Sequence, residues 1–170
     1  MRFVVAYEPE LHPLTKQSLA KYCRHAEPVR MGNGPTAYWE LLCRLWDAKE
    51  AFTIIEHDIE LHDKVVRPLT YCKEPWCVFP YGGPPQRPDA AGVIHPPMLI
   101  TTGLGCTRFR ASMMRDHPNF MSELGPTYWQ ALDSHIHGRL DGLGYKRHLH
   151  YPAVTHHHDY PAGCACGQEH

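Results

Sequence analysis

The sequence predicts a single α/β domain with a mainly parallel sheet flanked by helices. Three observations predict it. Segments of strand character alternate with amphipathic helical segments through the first hundred of 170 residues, the pattern of a sheet whose parallel strands are joined by helices. Residues 51–56, Ala-Phe-Thr-Ile-Ile-Glu, are an unbroken apolar run that ends in acid, as expected of a strand covered on both faces. The length suffices for one domain with a real core and is marginal for two.

Each element has its own signal. Residues 2–7 read as a first strand. Residues 11–22 follow as a helix, with Leu11, Leu14, Leu19 and Tyr22 roughly on one side. Residues 28–31 make a short second strand. Gly32-Asn33-Gly34-Pro35 is a turn that opens a helix, because proline suits the first helical position. That helix runs to about Lys49, with Tyr38, Leu41, Leu42, Leu45 and Trp46 as its apolar stripe. After strand 51–56, residues 77–81 form a short strand whose proline assigns it to an edge or a strand end. Residues 82–88, rich in Gly and Pro, form a surface loop. Residues 98–101 resume strand character, and Gly103-Leu104-Gly105-Cys106 leads into a helix at 107–116. A further helix spans about 127–140, striped by Trp129, Leu132, Ile136 and Leu140 and stopped by Gly142 and Gly144. Residues 146–151 supply a last strand. The domain is expected over 1–158, followed by a His/Cys-containing tail over 159–170.

Bulk composition excludes several classes. Hydrophobic residues make up 43% and charged residues 21%, and the formal charge is -1. No general attraction to nucleic acid or membrane follows from that balance. No apolar run approaches the roughly 18 residues of a spanning helix, and the first residues read as a strand rather than a signal peptide. Seven cysteines, an odd number and mostly scattered, indicate a reduced, cytoplasmic protein. Histidine is the anomaly: there are 14, eight of them after residue 130.

Chemistry concentrates after residue 55. Glu56, Asp58 and Glu60 recur every second residue and project to one side if the strand continues. Such carboxylates at the end of a core strand repel unless water or a divalent cation lies between them. Ligands of open α/β sheets bind beyond the carboxyl ends of the strands, so the cluster suggests a metal site at a catalytic edge. A solvated turn is the alternative. Asp133 lies on the edge of an apolar helical stripe, where burial raises a carboxyl pKa towards the range of a general base; pairing with Arg139 or His137 is the alternative. The backbone of Gly105 and its neighbours, beside a helix start, offers N–H groups to sugar hydroxyls or phosphate, with Arg108 and Arg110 adding charge. Asn33 stands at a helix start beside the sheet. Cys164, Cys166 and His170, with His156 or His158, offer zinc ligands, but the spacing matches no common finger, and free, solvated cysteines in the tail are the favoured alternative.

The order of strands and helices, the Ile54-Ile55-Glu56-His57-Asp58 stretch, the Gly-containing segment, the later acid and the late histidines together resemble the nucleotide-sugar-dependent glycosyltransferases of the GT-A fold, a Rossmann-like architecture. Glu56-His57-Asp58 looks like that superfamily's DxD-type motif in variant form. The resemblance implies that Asp58 coordinates manganese or magnesium and that Glu56 faces the ribose or a metal-bound water. His156 or His158 would complete the metal shell. Asp133 would be the base of an inverting enzyme. Tyr7, after the first strand, would stack on uracil, which favours a UDP-sugar donor. His57 departs from the commoner acidic middle position. The chain is short for the superfamily, an economy that fits a compact viral or bacterial enzyme. The acceptor, whether glycan, protein or nucleic-acid base, or a second copy in a homo-oligomer, would then help to complete the site. Three alternatives accompany this reading: a metal-dependent hydrolase, a nucleotidyltransferase, and a non-catalytic zinc-binding module built on the tail.

Overall fold

A computed structural model describes residues 1–82, 99 and 103–157. The order is β1 (Arg2–Tyr7), α1 (Pro13–Tyr22), β2 (Glu27–Arg30), α2 (Ala37–Asp47), β3 (Phe52–Glu56), β4 (Ile59–Glu60), α3 (Val66–Tyr71), β5 (Trp76–Val78), β6 (Tyr81–Gly82), β7 (Cys106–Phe109), α4 (Ala111–Asp116), α5 (Phe120–Leu124), α6 (Trp129–Gly142), β8 (His148–Leu149) and β9 (Val154–His156).

The main sheet has strand order β2-β1-β3-β7-β5-β8. Only β7 runs against its neighbours; the other pairings in this sheet are parallel. The expected mixed α/β architecture with a mainly parallel sheet is therefore present. Side chains alternate across the strands, and both faces are covered. Val4, Ala6, Phe52 and Ile54 pack with α2, α5 and α6 on one face. Phe3, Val5 and Ile55 pack with α1 and α3 on the other. Each fully buried aliphatic side chain contributes about 1.5–3 kcal/mol, which is why β3, with all five residues buried, carries no charge before its terminal Glu56.

Helices α1, α2 and α6 form where the sequence signals them. Pro13 opens α1, and the His12 ring accepts the Leu14 N–H at 3.2 Å. Along α2 the predicted stripe is the buried face. Its two tryptophans also donate to backbone carbonyls, Trp46 to His117 at 2.8 Å and Trp39 to Met121 at 3.2 Å, so α2 carries the 117–121 segment. Gly144 sits at φ 81 and its N–H caps Asp141 at 3.0 Å, which ends α6 as a C-terminal glycine does.

Three expectations are corrected. Extended structure does not persist past Glu56: His57-Asp58 turns, and β4 starts a second sheet of order β4-β9-β6. The residues at 77–81 divide between β5 and β6, which belong to different sheets, because Phe79-Pro80 intervenes. The helix expected at 107–116 begins instead as the reversed strand β7 and becomes helical only at Ala111. Leu99 is exposed and in no strand; the rest of the strand expected at 98–101, the loop at 83–88 and the tail with Cys164, Cys166 and His170 lie outside the described residues. No helix among the described residues is long and apolar enough to cross a membrane.

Candidate active site at the end of the central strand

The second sheet creates the site. β4 pairs with β9 so that Ile59 faces His156, and the His157 N–H bonds the Asp58 carbonyl at 3.0 Å. This register brings a histidine 98 residues distant against the acidic turn: His156 Nε2 lies 2.8 Å from Asp58 Oδ2. Asp58 is 1% exposed, and its Oδ1 has no hydrogen-bond partner among the described residues. Burial alone would raise the Asp58 carboxyl. The hydrogen bond and charge of His156, with His57 behind it, outweigh burial and hold the carboxyl below the usual aspartate value.

Glu56 and Asp133 converge on the same space. Glu56 is buried, and both burial and the repulsion of Asp133 and Asp58 push its carboxyl well above the ordinary value, opposed by Tyr38. Asp133 enters from α6. Its Oδ2 accepts the Leu104 N–H at 3.3 Å. The residue keeps some access to solvent, but its carboxyl sits among buried groups. Burial raises it to about 7, against the lowering effects of Leu104 and His156. Neither alternative partner holds it: Arg139 pairs with Glu123, and His137 packs edge-on against Trp76 at 5.0 Å.

The glycine segment is part of the wall. The Glu56 N–H donates to the Gly105 carbonyl at 3.0 Å. A Cβ on Gly105 would stand 2.9 Å from Tyr81 Cε1, 3.0 Å from Ile59 Cδ1 and 3.1 Å from Glu56 Oε2. Crowding of this kind costs about 1–3 kcal/mol. Gly105→Ala is therefore expected to lower the unfolding free energy by that amount, read as a lower urea midpoint, and an unchanged midpoint would show that Tyr81 and Glu56 yield freely. Tyr81 also packs edge-on against His156, ring centres 5.0 Å apart. Nothing in the sequence around Tyr81 signalled that role.

Beside this cluster lies a cleft of ≈ 320 Å³ lined by Glu8, Met31, Asn33, Gly34, Pro35, Tyr38 and Trp129 among others. It opens past the carboxyl ends of β1 and β2, the usual ligand position in such sheets. Asn33 is there as expected. Tyr7 is not a lining residue: it ends β1 half-buried, and the residue after it, Glu8, faces the cleft. The aromatic walls are Tyr38 and Trp129, which the sequence offered only as core stripe residues.

Two further candidates fall elsewhere. Arg108 is not at the site. It pairs across β3 with Thr53, three residues back from Glu56, or about 10 Å at strand rise. Its guanidinium bonds Met1 Sδ and the Glu74 carbonyl instead. Glu60 also leaves the cluster and bonds His157 at 3.0 Å, at the rim. His158 lies outside the described residues.

A divalent cation fits the donor set in part. A buried carboxylate with an orphaned oxygen, beside an imidazole and near two further carboxyls that ionise reluctantly together, offers donors that a cation would complete. Asp58 and His156 supply two ligands. Magnesium and manganese sites commonly take the rest from water and substrate phosphates.

No protein-family model matches the chain, and a search of curated proteins also returns no match. Solved structures that align along most of its length include a glycosyltransferase involved in the glycosylation of the major capsid of PBCV-1, at 10% identity over 91% of this chain and 92% of that one, with a TM-score of 0.47. Another is CMP:2-keto-3-deoxy-manno-octonic acid synthetase complexed with CTP, at 8% identity over 89% of each chain, also with a TM-score of 0.47. At such identities and scores the functional argument rests on the geometry of the site.

Proposed function

We propose that this chain is a metal-dependent glycosyltransferase that moves a sugar from a nucleoside diphosphate donor, a UDP-sugar being favoured, to an acceptor hydroxyl. The observation that carries the reading is the convergence of Asp58, His156 and Asp133 at the end of β3, beside an aromatic-walled cleft.

Asp58 and His156 would hold manganese or magnesium; an imidazole ligand favours manganese. The cation's chemistry is to stabilise the charge that develops on the departing diphosphate. Trp129 presents a face on which a nucleobase stacks, the buried Tyr38 backs the cleft, and Asn33 offers the base a polar edge. Asp133 is the base. Its carboxylate takes the proton of the acceptor hydroxyl, the acceptor oxygen bonds the anomeric carbon, and the bond from that carbon to the diphosphate oxygen breaks with its electron pair. Direct displacement of this kind inverts the anomeric configuration. Glu56, whose carboxyl burial and the neighbouring Asp133 and Asp58 push well above the ordinary value, gives up its proton reluctantly and faces the sugar or ribose. The Leu104 N–H orients Asp133 from behind.

Titration calorimetry with UDP in the presence and absence of manganese tests the first step, and acceptor-dependent turnover of UDP-sugars tests the second. The expected result is manganese-dependent binding and an inverted product. Absence of any manganese-dependent nucleotide binding overturns the reading. Pyrophosphate release from a nucleoside triphosphate and a sugar phosphate, without acceptor-dependent turnover, replaces it with nucleotidyl transfer. Within the cleft, Trp129→Ala is expected to weaken UDP binding about tenfold, the loss of one stacking contact, with kcat nearly unchanged. Equal affinity for UDP in wild type and variant would remove Trp129 from the base site.

A further inference from the structure

The sequence suggested a thiolate-rich metal site in the tail. The fold assembles a different one, from residues that no sequence spacing connects. Cys72 caps the end of α3, its N–H bonded to the Pro68 carbonyl at 2.8 Å. Cys77 is buried in β5. His150 follows β8, and its N–H bonds the Val78 carbonyl at 2.9 Å. One ligand atom from each, two Sγ and a ring nitrogen, all lie within 4.8 Å of one another. This trio is the one such group among the described residues.

We propose that Cys72, Cys77 and His150 form a zinc site that clasps the β8 edge of the main sheet to the end of α3. Ligand chemistry supports it, since two thiolates and an imidazole are zinc's preferred partners. Geometry supports it too. Tetrahedral zinc, with bonds of about 2.3 Å to sulfur and about 2.0 Å to nitrogen, separates its ligand atoms by roughly 3.5–3.8 Å. A contraction of about 1 Å or less closes the trio on the ion. The His150 Nε2 is enclosed and has no hydrogen-bond partner among the described residues, a costly state for a polar atom that a ligand relieves. Phe79 stacks on the imidazole at 5.2 Å and fixes its plane.

Charge and proton balance are consistent. Binding releases the two thiol protons to solvent and leaves a neutral Zn(Cys)2(His) unit whose fourth position is open to water. Burial holds the Cys77 thiol up at about 12 in the metal-free protein, with Arg108 working in the opposite direction. The arginine excluded from the acidic site thus lies where it favours a thiolate. Burial also lowers the His150 pKa, which keeps the imidazole neutral and able to coordinate.

The site has a structural reason. β8 is a two-residue edge strand joined to β5 through Cys77↔His148 and Val78↔Leu149. So short an edge is weak by itself, yet it leads directly into β9 and His156. A zinc clasp at His150 would anchor the segment that delivers His156 to Asp58.

Cobalt substitution tests the proposal on the full chain, purified under reducing conditions and stripped with chelator. The expected result is one thiolate-bound cobalt per chain, read from the amplitude of a thiolate-to-cobalt charge-transfer band with the intense visible bands of a tetrahedral ion, both displaced by zinc. Zinc is expected to raise Tm by about 5–10 °C at saturation. Cys72→Ser, at a half-buried position, and His150→Ala should each abolish the band while far-ultraviolet circular dichroism stays unchanged. Asp58→Asn and the double variant Cys164→Ser, Cys166→Ser should both keep it. Loss of the band in either of those controls, its persistence in Cys72→Ser, or a Cys72–Cys77 disulfide in place of bound metal overturns the proposal.

Discussion

Asp58→Asn is expected to reduce manganese-dependent sugar transfer by at least about 10³-fold, the scale on which removal of charge stabilisation at a leaving group acts. Asparagine keeps the shape and one carbonyl oxygen for His156, so the fold should persist. What it loses is the charge beside an orphaned oxygen. Calorimetry should show manganese-dependent UDP binding abolished in the variant. The substitution also has a stability signature with a definite sign. The folded carboxyl of Asp58 is depressed below its unfolded value. Its ionised form therefore stabilises the protein at pH above the unfolded aspartate value, and that contribution is lost as pH falls through the folded value. Asp58→Asn should flatten the acid limb of the stability curve. A variant with full turnover, or with an acid limb identical to wild type, would remove Asp58 from the centre of the mechanism.

Asp58 was legible in the sequence because a buried strand cannot end in Glu-His-Asp without a reason, and β3 was legible because an uninterrupted apolar run has few other uses. α2 and α6 announced themselves by stripe and by proline or glycine punctuation. β7 was hidden for a physical reason. It is buried on both sides yet reads Cys-Thr-Arg-Phe, because Arg108 is satisfied by the Glu74 carbonyl and Met1, and so survives at 5% exposure in a strand. Its polarity and the glycines before it imitate a helix start. The turn at His57-Asp58 was hidden because continued alternation through Glu60 is also compatible with a strand. Pairing across long separations is invisible to periodicity altogether. His156 reached the site through the register of β9 on β4, and Cys72, Cys77 and His150 met through three separate elements. The cleft residues Tyr38 and Trp129 were visible only as core stripe. A residue at the end of such a stripe, where a helix meets the carboxyl edge of a sheet, can serve core and cleft at once.

Asp133→Asn is expected to separate catalysis from stability, with opposite signs. The wild-type kcat should rise as pH crosses about 7, because only the ionised carboxyl of Asp133 can accept the acceptor's proton. The variant should lose about 10²–10⁴-fold in kcat, and its residual rate should no longer rise through that window. Stability should move the other way. The folded carboxyl is raised above the unfolded aspartate value, so the native state holds a proton that the unfolded chain has given up. Stability therefore falls as pH rises between the unfolded value and about 7, and the full cost remains above it. At one pKa unit per 1.36 kcal/mol, that cost is roughly a few kcal/mol. Asparagine cannot ionise and should recover part of it, so the variant's urea midpoint should fall less between pH 5 and pH 8 than that of wild type. A purely structural Asp133 would give the stability change without the altered pH–rate profile. An Asp133 held by a cation rather than by burial would give a variant less stable at pH 8. Only a buried, reluctantly ionised base gives both the gain in stability and the loss of the acid limb.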